Sequence, residues 1–277
     1  IVDKNGRVFA VLVGNPPNDP SWESVHKTAA SLMEQHGSQV KMRDSDVPSR
    51  RNVKKYLSAG YSFGGGQKVP QPFAQKDPMN KLIIDELLSS ASFQRISGHL
   101  NAAFATWGPR LHRLYHHTLE DYASLDPSFS QCFPQTAFAA ATFNFDTQTA
   151  TTEHLDYLNY LYGWCGVTAL GSYNYTKRGH LILWDIRLII EFPPGTSILL
   201  PSAYIRHSNT SISSGEKRYS FTQYSAGGLF RYAQDGMRSR VSMSSVEKDE
   251  KEQQARREVS EGVKLYSTLD ELARSVQ

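Results

Sequence analysis

Four short apolar runs, Trp164–Leu170, His180–Trp184, Leu188–Phe192 and Ser197–Leu200, follow one another closely in this chain. Turn-like segments, Asn174–Gly179 and Pro193–Pro194–Gly195, separate them. Runs this short, punctuated by glycine and proline, fit strands rather than helices. Successive short strands point to an antiparallel jelly-roll, a double-stranded β-helix whose mouth can hold a ligand. Two polar stretches bracket the runs: EHLDYLN, opening at Glu153, and IRHSNTSISSGEKRYSFTQY, closing at Tyr224.

Those brackets carry the chemistry. His154 and Asp156 are two residues apart, so on a β-strand both side chains would leave one face. His207 ends another apolar run. Two imidazoles and a carboxylate can occupy one face of an octahedral Fe(II) and leave three positions open. Zinc is the rival metal for this ligand set. Arg218 stands on a strand-like run, with Ser220 on the same face by alternation. A guanidinium there can pair with a carboxylate whose other end reaches the metal. A hydrolase has no general need of such a dicarboxylate, so Arg218 favours iron.

The segments EHLDYLN, GWCGVTALG, GHLILWD, EFPPGTSILLPSA, RHSNT and SFTQYSAGGLFRY together resemble fungal TET/JBP-type dioxygenases. So do GYSFGGGQ (Gly60 to Gln67) and the opening GRVFAVLVG. The resemblance spans most of Ile1–Tyr232. It implies an Fe(II)/2-oxoglutarate enzyme that uses O2 to oxidise the methyl group of a methylated base in DNA, with RNA also open. It implies His154, Asp156 and His207 as iron ligands, and Arg218, Ser220 and His180 as binders of 2-oxoglutarate. Asn159 completes the family's H-x-D-x-x-N pattern and would hydrogen-bond the target base, since an amide offers both donor and acceptor. Tyr224 matches an aromatic on which the flipped base stacks. Gly64, Gly65 and Gly66 would let backbone approach the substrate pocket, where the bland alternative is a surface linker. The animal members carry a histidine two residues beyond the stacking aromatic; here that position is Ala226. The departure removes one base contact and admits N6-methyladenine beside 5-methylcytosine.

The remainder frames this centre. The expected class is α+β, with a helical buttress at about 78–125 and the catalytic jelly-roll at about 133–232. Together they lie in a dioxygenase domain of residues 1–235. Val8–Val13 reads as a strand, Ser21–Glu34 as a helix, and Phe133–Phe145 as a strand leading into the catalytic sheet. Leu82, Ile83, Leu87 and Leu88 recur at helical spacing, as do Phe104, Trp107, Leu111, Leu114 and Tyr115. Pro109 is expected to kink or break the second run. His112 and His116 stand at i and i+4, but no zincin pattern accompanies them, so they read as surface or packing residues. Arg43, Arg50, Arg51, Lys54 and Lys55 form either a solvated face or a phosphate-contacting edge. Asp185 and Asn209 read as turn or ligand-orienting groups.

Residues 236–277 form a charged, largely helical extension. In its second half Val259, Val263, Tyr266, Leu269 and Leu272 make an apolar stripe expected to dock on the domain or a partner. The net charge of +3 permits a nucleic-acid partner without demanding one. Two cysteines, Cys132 and Cys165, are too few for a disulfide framework and suit a reducing compartment. No stretch reads as a membrane span or signal peptide, so an intracellular, nuclear protein without a membrane partner is expected. Residue 1 is Ile, so the natural chain is expected to begin upstream. Two other functions fit the residues: a dioxygenase of this fold acting on a protein or small molecule, and a non-catalytic nucleic-acid-binding module.

Overall fold

A computed structural model describes residues 1–42, 55–64, 66–126 and 129–275. Their apolar runs form two antiparallel sheets. The larger contains β1 (Val11–Val13), β2 (Tyr56–Ser62), β3 (Gln71–Pro72), β4 (Ala140–Asn144), β5 (Cys165–Ser172), β8 (Ser197–Leu200) and β10 (Lys217–Tyr224). Their order is β1-β8-β5-β10-β4-β2-β3. The smaller contains β6 (Leu181–Leu183), β7 (Leu188–Ile190) and β9 (His207–Asn209), in the order β7-β6-β9. Ala169, Ile198 and Leu200 of the larger sheet share one buried cluster with Leu181 and Leu183 of the smaller. The sheets therefore pack face to face, as a jelly-roll requires.

Helices cover the other face of the larger sheet. These are α1 (Trp22–Gly37), α2 (Pro78–Ser89), α3 (Ala91–Trp107) and α4 (Pro109–Leu125). Alternation along β10 shows the division. Tyr219 and Phe221 enter a core with Met33, Ile83 and Phe93, and Gln223 Nε2 donates to Ser97 Oγ of α3. Arg218, Ser220, Thr222 and Tyr224 are left for the inner face. Local chemistry sets the helix limits. The Asp77 carboxylate accepts from the Met79 and Asn80 amides, with Pro78 in the first turn of α2.

Pro109 breaks the second helical run, one of the two expected outcomes, by opening α4. The chain breaks just before it, where Gly108 lies so close to Trp164 that a Cβ would sit 2.7 Å from the indole. The expected strand Phe133–Phe145 is regular only over β4. Ahead of it Gln135 takes φ +59°, which turns the chain. Gly60 is required opposite this segment: a Cβ there would lie 2.2 Å from the Ala139 carbonyl, at φ +89°.

The chain continues through α5 (Gly227–Gln234), α6 (Ser245–Glu261) and α7 (Leu269–Ser275). Of the apolar stripe, Tyr266 is buried and Leu272 packs beside it, against Val8, Val11 and Trp164. Val259, Val263 and Leu269 stay exposed. The Val8 amide donates to the Ser267 carbonyl and the Leu269 amide to that of Gly6, so this stretch docks on the amino-terminal strand region. Among the described residues no helix is long and apolar enough to cross a membrane. Arg43, Arg50, Arg51 and Lys54 lie outside the described residues, while the Lys55 ammonium donates to the Gly37 carbonyl at 2.9 Å.

Candidate metal and co-substrate site

The H-x-D pair is not on a continuous strand, contrary to the alternation argument. His154 forms an isolated antiparallel bridge with His207, and Asp156 begins a turn closed by the Asn159 amide on the Asp156 carbonyl, at 2.8 Å. The side chains converge nonetheless. His154 Nε2 lies 3.8 Å from Asp156 Oδ1, and His207 Nε2 lies 3.9 Å from Asp156 Oδ2. One ligand atom from each of the three falls within 4.8 Å of the others. His207 stands opposite Leu183 in the β6–β9 register, which turns it to the interior of the sandwich.

The rings are fixed by matching backbone contacts. His154 Nδ1 lies 2.7 Å from the Thr152 carbonyl and His207 Nδ1 lies 2.9 Å from that of Ile205, each two residues back. A carbonyl can only accept, so Nδ1 carries the proton and Nε2 presents its lone pair. Two such nitrogens and one carboxylate fit a single divalent cation and leave coordination positions free. His112 and His116, by contrast, are spent on Asn101 and Glu120.

The second half of the site is Arg218. It is only 2% exposed, and one nitrogen donates to the Thr149 carbonyl at 2.9 Å. Its Nε is buried without a partner, and among the described residues no carboxylate pairs with it. The Tyr173 ring centroid lies 6.0 Å away, and Arg218 offsets part of the upward push that burial gives the Tyr173 phenol. A buried charge without a counter-ion costs several kcal/mol, so such a guanidinium fits a site whose anion arrives as ligand. Ser220 is on the same face, its Oγ accepting from Asn144 Nδ2 at 2.8 Å. This combination of a metal triad and a buried cation fits Fe(II) with the dicarboxylate 2-oxoglutarate.

One segment ties the halves together. The Arg218 amide donates to the Thr147 carbonyl, and the Thr149 amide to the Arg218 carbonyl. Further along, Asn209 Oδ1 accepts from the amide and hydroxyl of Thr151, and its Nδ2 donates to the Thr149 carbonyl. Asn209 thus pins the 149–151 segment, on which Arg218 is also held. Arg206, which no motif places, is bonded to Asp185 through its amide, Nε and Nη2, and to Glu153 through Nη1. It clips the residue before His154 to the loop after β6, and holds the Asp185 carboxyl below the usual carboxylate range. Only its adjacency to His207 could have pointed to it.

The remaining predicted residues are distributed as follows. Asn159 Nδ2 donates to Ser202 Oγ at 3.1 Å, and its backbone bridges to Ala226. Tyr224 Oη shares a 3.1 Å hydrogen bond with Thr142 Oγ1; burial raises its phenol pKa, which the hydroxyls of Thr142 and Ser58 partly offset. Gly64 faces Leu158, where a Cβ would sit 3.8 Å from Cδ2, while Gly66 has open space. Gly65 lies outside the described residues. His180 is held by its backbone to Thr210, and its buried Nε2 has no partner. No hydrogen bond or ion pair among the described residues joins it to Arg218 or Ser220. A cleft of about 370 Å³, lined in part by Gly64, Asn159, Gly227 and Arg231, has none of the triad in its lining.

No protein-family model matches the sequence, and no curated protein matches it. Solved structures do. NgTET1 in complex with 5mC DNA is similar over 82% of this chain and 75% of its own, at 16% identity and a TM-score of 0.50. An oxidoreductase of the 2OG-Fe(II) oxygenase family from Burkholderia pseudomallei covers 78% of this chain and 85% of its own, at 14% identity and TM-score 0.40. OsALKBH1 covers 78% and 96%, at 10% identity and TM-score 0.42. At 16% identity the likeness to NgTET1 is one of architecture. This chain has the double-stranded β-helix fold found in 2OG-Fe(II) oxygenases.

Proposed function

We propose that this chain is an Fe(II)/2-oxoglutarate-dependent dioxygenase that oxidises the methyl group of a methylated base in DNA, 5-methylcytosine or N6-methyladenine. The observation that carries the reading is the pairing of the His154–Asp156–His207 group with a buried Arg218 that has no anion of its own. The NgTET1-like fold supports the nucleic-acid substrate.

In this reading, bound Fe(II) and 2-oxoglutarate supply the oxidant that hydroxylates a methyl C–H with O2. His154, Asp156 and His207 hold the metal through two neutral imidazoles and one anionic oxygen. Arg218 would hold the co-substrate's carboxylate through a charge-assisted bond, with the Ser220 hydroxyl on the same strand face to assist. His180 offers its buried, unpartnered Nε2 to the same ligand. Tyr224, steadied through Thr142, supplies the ring on which an extruded base stacks. Asn159 keeps its Oδ1 for a base edge while Nδ2 is held by Ser202. Gly64 leaves room beside Leu158, and Gly66 has open space around it.

The test is nucleoside mass spectrometry after incubation with Fe(II), 2-oxoglutarate and DNA carrying 5-methylcytosine or N6-methyladenine. Oxidised nucleosides from either substrate are expected. Turnover of 2-oxoglutarate to succinate with neither base oxidised would overturn the substrate and point to a protein or small molecule.

A further inference from the structure

The turn that follows the metal ligand has an unusual composition. Asp156 and Asn159 are its first and last residues, joined by a backbone hydrogen bond, and the two central positions are Tyr157 and Leu158. Central turn positions ordinarily hold Gly, Pro, Asn, Asp or Ser, because those residues satisfy or relieve the bent backbone. Here they hold two large apolar side chains left 73% and 53% exposed. Such exposure withholds hydrophobic stabilisation from both, which suggests an occupant that arrives later.

The turn is also rigid where it matters. Its first residue is fixed by the Asp156 amide on the Ser202 carbonyl at 2.9 Å. Its last is fixed by Asn159 Nδ2 on Ser202 Oγ. The Gly227 amide donates to the Leu158 carbonyl and the Tyr160 amide to the Ser225 carbonyl. Tyr157 is therefore presented on a braced backbone, its Cα only about 3.8 Å from that of Asp156 across one trans peptide. The cleft at the base of the turn, lined by Tyr157 and Leu158, also carries Arg231, Arg240 and Lys251. Asp235 takes Arg240 and Lys251 as partners, and Arg231 forms no ion pair among the described residues. Three cations against one carboxylate suit a polyanion beside the apolar tip.

We propose that Tyr157 and Leu158 form a wedge that enters a DNA duplex where the target nucleotide leaves the stack. The inference rests on the methylated-base reading above. A base inside a duplex must be extruded before its methyl can reach the metal, at the expense of lost pairing and stacking. Apolar side chains inserted at a base step offset part of that loss by filling the gap. A single-stranded substrate has no partner strand to hold the base, so the wedge has no work to do there. Tyr157 and Leu158 are positioning residues: they act on the duplex, while Asn159 and the triad face the base.

The experiment compares the full chain with Tyr157→Ala, Leu158→Ala and the double variant. Each is given one methylated oligonucleotide in three forms: single-stranded, fully paired, and paired with a mismatch opposite the methylated base. Fluorescence of 2-aminopurine placed at the target position reports extrusion independently of turnover. The double variant is expected to lower the duplex-to-single-strand rate ratio at least tenfold and to lose the fluorescence rise. The mismatch should restore most of the ratio, and Tyr157→Phe should keep it. An unchanged ratio, or an equal loss on all three forms, overturns the wedge. If the parent chain oxidises methylated DNA in none of the forms, the substrate reading itself fails and the wedge falls with it; only the first two outcomes bear on the wedge alone.

Discussion

His154 and His207 exchange both of their backbone hydrogen bonds, His154 N to His207 O at 3.1 Å and His207 N to His154 O at 3.0 Å. Each ring then leans on the carbonyl two residues before it. The two imidazoles are thus set by one backbone bridge, their centroids 4.3 Å apart, and Asp156 is the part of the triad that supplies charge.

Removing that charge should be decisive. Asp156→Ala is expected to lose iron and abolish turnover, since the two neutral nitrogens alone hold Fe(II) weakly. Iron content after desalting and 2-oxoglutarate decay are the readouts. Near-parental values for both would rule out the triad as the metal site.

Arg218→Ala should raise the 2-oxoglutarate requirement by about ten- to hundred-fold. A hydrogen bond to a charged group is worth roughly 1.5–3 kcal/mol, and each 1.4 kcal/mol is about tenfold. Arg218→Lys should recover only part of this, because an ammonium cannot reproduce the planar fork that also serves Thr149. Titration of succinate formation against 2-oxoglutarate checks it. If both variants saturate as the parent does, another cation holds the co-substrate.

Tyr224 and Asn159 should separate grip from choice. Tyr224→Ala is expected to slow oxidation of every methylated base, stacking being worth roughly 1–3 kcal/mol. Tyr224→Phe loses only the hydroxyl's contacts with Thr142 and Ser58 and should retain most activity. Asn159→Ala should shift the ratio of 5-methylcytosine to N6-methyladenine oxidation while uncoupled 2-oxoglutarate decay continues. Competition assays with both bases in one reaction measure the ratio. A constant ratio would remove Asn159 from base reading.

Acid should loosen the tail before the core. Glu271 accepts from Arg110 through both carboxylate oxygens and from the Thr268 amide, which pull its pKa down to about 2. Its unfolded value is about 4.3. A carboxyl whose folded pKa is depressed contributes stability above the unfolded value and loses it as pH falls toward the folded one. Between about pH 4.3 and about 2, amide exchange in α7 should therefore rise ahead of exchange in β5 and β10. Glu271→Gln should remove this pH dependence. An unaltered profile in that variant would show that the pair does not hold the tail.

Much of this was legible along the chain because the determinants are local. Alternation alone put Arg218, Ser220 and Tyr224 on one face of β10, since a strand's period of two does not depend on its partners. The short apolar runs became strands for the same reason, and the ligand residues could be named from their chemistry. Local reasoning failed where the backbone left regular structure. Asp156 heads a turn instead of continuing a strand. Tertiary structure alone decided which groups meet. His154 and His207 exchange their backbone hydrogen bonds, Thr149 anchors Arg218, and Arg206 bridges Glu153 and Asp185. Hydrogen-bond partners this far apart in sequence follow from how the two sheets close on each other, and periodicity within either sheet carries no record of that.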